Sequence, residues 1–419
     1  MSSLALLGGE KAVMLEEPQA MSWPVHTEEE EAAVLEVVRS GNWSLPPVTR
    51  QFEQEFAEYV GAHYALAHNN GTSALHAALF AVGVGPGHEV IAQSYTYWAT
   101  IMPALALGAI PVFAEVEGRT LGLDPEDFEA KITSRTKAVV VVHLHGVPAD
   151  MDAILAIARE SGVAVIEDAS HAHGARLHGR SIGTLGDVGA FSMQTSKLLP
   201  SGEGGVLVTN KREYYERAVL LGHYERIGEL QNESYRRYAR TCYGFKYRIN
   251  PLAAALARVQ LRHLHERNAR RNANLELLRS LIHDLPGIQI VEGVPGSKAV
   301  HYQHAILYKP EELGGLSRDR FLEALAAEGA GGFYPERYEG LHTQQIFLDF
   351  NEREESEIYR VPRREDGRPR YGAGTLPRTE DIMRRVILTP TYPNASEELV
   401  RQHAKAIRKV VEHHGELLD

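Results

Sequence analysis

The chain has 419 residues, 44% of them hydrophobic and 24% charged, with a net charge of −11 at pH 7, proportions that exclude a disordered chain and a broadly basic nucleic-acid surface. A single cysteine, Cys242, forms no intramolecular disulfide, and the N-terminus lacks the basic and apolar regions of a secretion signal. The longest apolar runs, such as Ala138–Val142, fall far short of the ~20 residues of a bilayer crossing, so a cytoplasmic enzyme of two or three structural units is expected.

Regular patterning begins at Thr27. Thr27 and Glu30 form a capping box, Val34, Leu35, Val37 and Val38 supply an apolar helix face, and Gly41 ends it. Leu75, Ala78, Leu79 and Val82 predict a second helix closed by Gly83. Short apolar runs follow at Val90–Ala92, Pro111–Ala114, Ala138–Val142, Val163–Ile166, Gly189–Phe191 and Val206–Val208. Helical stretches such as Asp150–Glu160 separate several of them, which predicts a mainly parallel sheet covered on both faces.

Asn250-Pro251 is an N-cap and N1 pair, opening one or two long helices that reach His283. Beyond it, strand candidates at Ile288–Val291, Ala305–Leu307 and Val386–Leu388 mix with helices at Arg318–Glu328 and Glu397–His413, the pattern of a smaller α+β domain. The expected division is an N-terminal arm (1–26), a large α/β domain (27–257) and a small domain (258–419). The charge-dense segment 351–374 is expected as an exposed loop.

Three segments could carry chemistry. Asn69-Asn70-Gly71-Thr72-Ser73 opens a helix with free amides and two hydroxyls, where an anion could sit; taken alone, an ordinary cap is the better reading. The strand Val163–Ile166 runs into Glu167-Asp168 at the carboxyl edge where α/β sheets place ligands. Asp168 there is either the partner of a protonated ring nitrogen or a cap for the next turn. Phe191-Ser192-Met193-Gln194-Thr195-Ser196-Lys197 then places a lysine between two buried strands. A lone lysine is usually solvated, but a desolvated amine at a strand edge can attack a carbonyl. Together, an anion cradle, an acid and an amine match the phosphate, ring nitrogen and aldehyde of pyridoxal 5'-phosphate. Tyr95, Tyr97 and Trp98 offer a stacking face, or simply core.

Gly71-Thr72-Ser73-Ala74-Leu75, Gly108-Ala109-Ile110-Pro111-Val112-Phe113, Glu167-Asp168-Ala169, Phe191-Ser192 with Lys197, and Gly202-Glu203-Gly204-Gly205 carry a resemblance that spans nearly the whole chain. The sequence resembles the DegT/DnrJ/EryC1/StrS family, pyridoxal-phosphate-dependent sugar aminotransferases of fold type I. Leu4–Val13, His143-Leu144-His145-Gly146, Glu167–Ala175 and Gly244–Arg248 look most like its amino-cyclitol branch, which includes glutamine:scyllo-inosose aminotransferases; 3-amino-5-hydroxybenzoate synthases are also similar.

The resemblance implies a ping-pong transamination from glutamine or glutamate to a keto-cyclitol or keto-sugar. It makes Lys197 the Schiff-base lysine and Asp168 the partner of the pyridine nitrogen. Thr72, the Ser73 amide and Ser192 would take the phosphate, and Tyr97, with Trp98 as the fallback, the ring face. It also implies a homodimer with a shared active site, in which Lys246 reaches the neighbour's phosphate. His171 stands where many members have glutamine and Lys246 where many have asparagine. A His171 imidazole beside the phenolic oxygen would donate one hydrogen bond, and its protonation would add a pH dependence near neutrality. Gln194, Glu203, His143, Tyr334 and segment 351–374 are candidates for the adaptable polar groups that two substrates require. His265, Arg267, Arg270 and Arg271 would suit a nucleotide-sugar at the cleft mouth, or form a solvated helix face. An aromatising synthase, a nucleotide-sugar aminotransferase and a non-catalytic cofactor-binding subunit are the alternatives; a same-fold dehydratase would typically carry histidine in place of Lys197.

Overall fold

The computed structural model describes residues 3–239, 241–352 and 370–418. At its centre is a seven-stranded sheet in the spatial order Tyr64–His68, Gly205–Thr209, Val188–Ser192, Ala164–Asp168, Thr136–Val142, Glu89–Gln93 and Ile110–Ala114. Five neighbouring strands, from Val188–Ser192 outward, are mutually parallel, while Gly205–Thr209 pairs antiparallel with both its neighbours. The continuous apolar runs of the sequence follow from this: the central strands are covered on both faces by separate buried clusters. The strand Tyr64–His68 and the helix Pro47–Val60 escape the sequence reading. Tyr-Ala-Leu-Ala-His is short and carries no turn signal, and Pro47 opens its helix without a capping side chain.

Thr27 caps the helix Glu28–Ser40 with the full capping box, and Gly41 ends it with φ 66°. Its apolar stripe behaves differently from expectation. Val37 is buried, but Leu35 and Val38 are 45% and 42% exposed. The inward side instead carries Glu30, which accepts from the Thr27 amide at 2.7 Å and from Gln260 Nε2 at 2.8 Å.

Asn250 caps one unbroken helix, Pro251–Ile282. Ala253, Ala254, Ala257, Leu261 and Leu264 pack into the cluster beneath the large sheet, whereas Leu275, Leu278 and Ile282 pack against the C-terminal elements. The helix is therefore a shared beam. Beyond it lies a four-stranded antiparallel sheet, Ile288–Ile290, His304–Tyr308, Val386–Thr389 and Tyr334–Pro335, with helices Arg318–Ala327 and Glu397–Glu412. Leu4, Ala12, Val13 and Ala20 of the N-terminal arm pack in this distal cluster. Most of the 351–374 segment lies outside the described residues; at its start, Asn351 belongs to the helix Gln345–Glu352 and pairs with the Tyr371 backbone at 2.7 and 3.1 Å. Among the described residues no helix is long and apolar enough to cross a membrane.

Glu328 fastens the arm. Its buried carboxylate accepts from the Ala5 amide at 2.8 Å, the Ala12 amide at 2.9 Å and Lys409 Nζ at 2.8 Å. Removing it leaves two amides without their acceptor and the Lys409 ammonium with the Glu10 carbonyl at 2.6 Å in place of a carboxylate. Glu328→Ala is therefore expected to cost about 3 kcal/mol, read as a lower denaturant midpoint, with earlier proteolysis of the first twenty residues.

Candidate active site

Three strand ends and one helix start converge on a cavity of about 420 Å³. Thr72, Tyr97, Asp168, His171, Ser192 and Lys197 all line it, together with Gln194 and Glu203. The convergence rests on backbone contacts that only small residues permit. A Cβ on Gly205 would stand 2.3 Å from the Asn70 carbonyl oxygen, and one on Gly71 2.7 Å from Ser192 Cβ. The two glycines therefore let the helix Gly71–Ala81 begin directly against the strand ends.

Strand alternation separates the acidic pair. Glu167 turns away from the cavity and accepts from the amides of Gly183, Leu185 and Gly186 at 2.8, 2.7 and 2.7 Å, holding a turn in place. Asp168 turns toward the cavity. Its Oδ2 accepts from the Thr100 hydroxyl at 2.8 Å and its Oδ1 from the Ser170 amide at 3.2 Å. A carboxylate accepts up to about four bonds, so capacity remains for a donor in the cavity.

Lys197 ends the turn after Val188–Ser192. Its amide donates to the Gln194 carbonyl at 2.8 Å, and Trp23 Nε1 of the N-terminal arm donates to its own carbonyl at 3.0 Å. The amine lies 4.3 Å from the Tyr302 ring centroid. Burial pulls its pKa down to about 8, against the opposing pull of Asp168. About a tenth of the amine is then free base at pH 7, against a few parts in ten thousand for a solvated lysine.

His171 is buried and stacks on Tyr302, centroids 4.2 Å apart. Its Nδ1 accepts from the His145 amide at 3.3 Å, which leaves the ring proton on Nε2. Burial, reinforced by Lys197 and by His145 and His173, holds its pKa well below the usual histidine range. Burial thus opposes the His171 titration near neutrality that the sequence suggests and favours the neutral ring.

Other expected residues lie elsewhere. The Ser73 amide is taken by Asn70 Oδ1 at 2.8 Å and its hydroxyl by Asn69 Oδ1 at 2.6 Å, so neither is free for an anion. Tyr95, Trp98, His143 and Tyr334 do not line the cavity; His143 is buried against Glu167 at 3.1 Å. Lys246 is exposed and 5.9 Å from the Tyr224 ring centroid, outside the cavity of its own chain. Neither His265 nor Arg267, Arg270 or Arg271 lines the cavity. Arg271 is no solvated residue: it is 3% exposed, packs 4.6 Å from the Trp23 ring, and burial brings it down to about 10. Thr100, Ser170, Tyr302 and Tyr338 escape the sequence reading. The two tyrosines arrive from more than a hundred residues beyond Lys197, with no local pattern to mark them.

The profile of the DegT/DnrJ/EryC1/StrS aminotransferase family matches residues 24–408. An L-glutamine:2-deoxy-scyllo-inosose aminotransferase of Streptoalloteichus tenebrarius is 35% identical, with 94% of this chain and 96% of that protein covered. A 3-amino-5-hydroxybenzoate synthase of Amycolatopsis mediterranei is 37% identical over 73% of this chain and 80% of its own length. Among solved structures, a 3-amino-5-hydroxybenzoic acid synthase superposes with a TM-score of 0.79 at 30% identity, covering 95% of this chain and all of the other. DesV of S. venezuelae gives 0.78 at 33% identity, over 92% and 95%.

Acylation of the Lys197 amine in the cofactor-free chain, followed by mass spectrometry between pH 6 and 10, is expected to accelerate with a midpoint of about 8. The sign follows from burial favouring the uncharged form. A midpoint near that of solvated lysines would show an exposed ammonium instead.

Proposed function

The chain belongs to the DegT/DnrJ/EryC1/StrS aminotransferase family, and from that premise we propose that it transfers the amino group of glutamine to a ketone on a polyol ring, with pyridoxal 5'-phosphate held in the cavity of Lys197 and Asp168. The observation that carries this reading is the depressed amine of Lys197 in the same cavity as a half-satisfied carboxylate. The donor set fits the cofactor part by part. Thr72 and Ser192 offer hydroxyls to its phosphate beside the start of the helix Gly71–Ala81. Asp168 would hold the proton on its ring nitrogen, His171 would offer an N–H to its phenolic oxygen, and Tyr97 would lie against the ring. The Ser73 amide drops out of the phosphate set, being already bonded.

Bound there, the cofactor supplies an aldehyde for covalent exchange with Lys197 and a ring that accepts the electron pair of a broken Cα–H bond. Lys197 Nζ takes the proton from the donor's Cα and returns one to the acceptor carbon in the second half-reaction. Gln194, Glu203 and Tyr338 line the same cavity with adaptable polar groups for the two substrates that alternate there. Lys246, exposed beyond its own chain's cavity, serves the phosphate of a second copy in a homodimer. The similarity to 3-amino-5-hydroxybenzoate synthases supports a second reading, in which the same lysine removes water from a cyclic amino-ketone.

With the aminated enzyme in hand, scyllo-inosose and a keto nucleotide-sugar offered side by side are expected to give amination of the free cyclitol. Preference for the nucleotide-sugar would overturn the acceptor assignment, and an aromatic product from an aminoshikimate-type substrate would favour the synthase. Borohydride reduction is expected to fix the cofactor on the Lys197 peptide. Lys197→Ala should carry no such label and lose turnover by at least about 10³-fold.

A further inference from the structure

Behind the cavity wall lies a buried polar cluster that the transamination does not use. Tyr95 is fully buried, and its hydroxyl donates a short hydrogen bond to Glu336 Oε2. His145 Nε2 lies 3.2 Å from the same hydroxyl and 3.6 Å from Glu336 Oε2. The other oxygen of Glu336 accepts from the amides of Arg337 at 2.6 Å and Tyr338 at 2.8 Å. The Glu336 side chain is only 3% exposed. This carboxylate thus joins two parts of the molecule. Tyr95 and His145 follow strands of the large sheet, while Glu336 follows the strand Tyr334–Pro335 of the small one.

His145 is held there at some backbone cost. It has φ 57°, in the left-handed region. The next residue must be glycine, since a Cβ on Gly146 would meet the His171 carbonyl at 2.7 Å and the His301 amide at 2.9 Å. The same His145 contributes the amide that fixes the tautomer of His171.

Resting on the reading of function above, we infer that Glu336 is a positioning residue: by gripping the amide of Tyr338 from one side and Tyr95 with His145 from the other, it sets the Tyr338 phenol in the cavity as a neutral hydrogen-bonding partner for a hydroxyl of the keto-polyol. Tyr338 lines the cavity with Asp168 and Tyr302. Burial, then the neighbouring Tyr302 and Glu336, keep its hydroxyl protonated. A protonated phenol both donates and accepts, which matches an acceptor ring dense in hydroxyls. Burial raises the Tyr95 phenol and lowers the His145 imidazole, favouring the neutral form of each. The Glu336 side chain accepts from three donors, the Tyr95 hydroxyl and the amides of Arg337 and Tyr338.

Two measurements test this. In the holoenzyme, Tyr338→Phe and Glu336→Gln are each expected to raise the KM for keto-polyol about tenfold more than the KM for glutamine, the worth of roughly one hydrogen bond. The double variant should be no worse than Tyr338→Phe alone, because Glu336 acts through Tyr338. In the full chain without acceptor, Glu336→Ala is expected to speed amide exchange at Arg337 and Tyr338 at least about tenfold, whereas Tyr338→Phe leaves it slow. Multiplicative KM effects, an unchanged acceptor KM in Tyr338→Phe, or unchanged exchange in Glu336→Ala would each overturn the inference. A wild type that aminates no keto-polyol sinks the reading of function, and with it the ligand assigned to Tyr338; the exchange comparison still decides the clasp.

Discussion

Burying an ammonium costs free energy that burying an amine does not, and the cavity is organised around that asymmetry. Lys197 sits where water is scarce enough to draw its pKa down to about 8, yet Asp168 and the Tyr302 ring stop the proton from being expelled altogether. An amine held near the balance point can both accept and return a proton, as a transaminating lysine must. The histidines nearby obey the same constraint with the opposite outcome. With no carboxylate in contact, His171 and His173 remain neutral, His173 being drawn down to about 3. They supply shape rather than charge, stacking on Tyr302 and packing on Phe191 respectively.

The scaffold converts that local balance into a fixed geometry. Asp168 and Ser192 end parallel strands that pair side by side, and Gly71 and Gly205 allow the helix start to press against them. The remaining wall is brought by residues after the shared helix Pro251–Ile282, where Tyr302 and Tyr338 enter from the smaller sheet's side. Most of the lining thus comes from the sequence before the shared helix, Tyr302 and Tyr338 close the cavity from the sequence after it, and Glu336 is bonded to both parts.

What the sequence reveals follows from how local each cause is. The capping box at Thr27, the Asn250-Pro251 start and the apolar strands are written in a few adjacent residues, and the structure bears them out. Thr72, Asp168 and Ser192 are similarly local, each at the end of a strand or the start of a helix, Lys197 sits in the turn just after Ser192, and all four line one cavity. Side-chain direction is less legible. Ser73 follows Thr72 directly, but its hydroxyl bonds back to Asn69 and Asn70. Arg271 looks like one of a solvated basic row until Trp23 is found against it. Tyr302, Tyr338 and Glu336 are invisible by inspection because the cavity and clasp residues they meet, Lys197, His171 and Tyr95 among them, lie more than a hundred residues away in sequence. His171 is legible in place but not in protonation, since its state depends on burial and on the nearby Lys197.

The hydrogen bond from Trp23 to the Lys197 carbonyl couples the cavity to the distal end of the molecule. Trp23 belongs to an arm that is anchored by Glu328, Gln402 and Lys409, residues far along the chain from the Lys197 turn. A pull on the arm is thereby transmitted to the backbone of Lys197, and loosening the arm's distal anchors removes one brace from that turn.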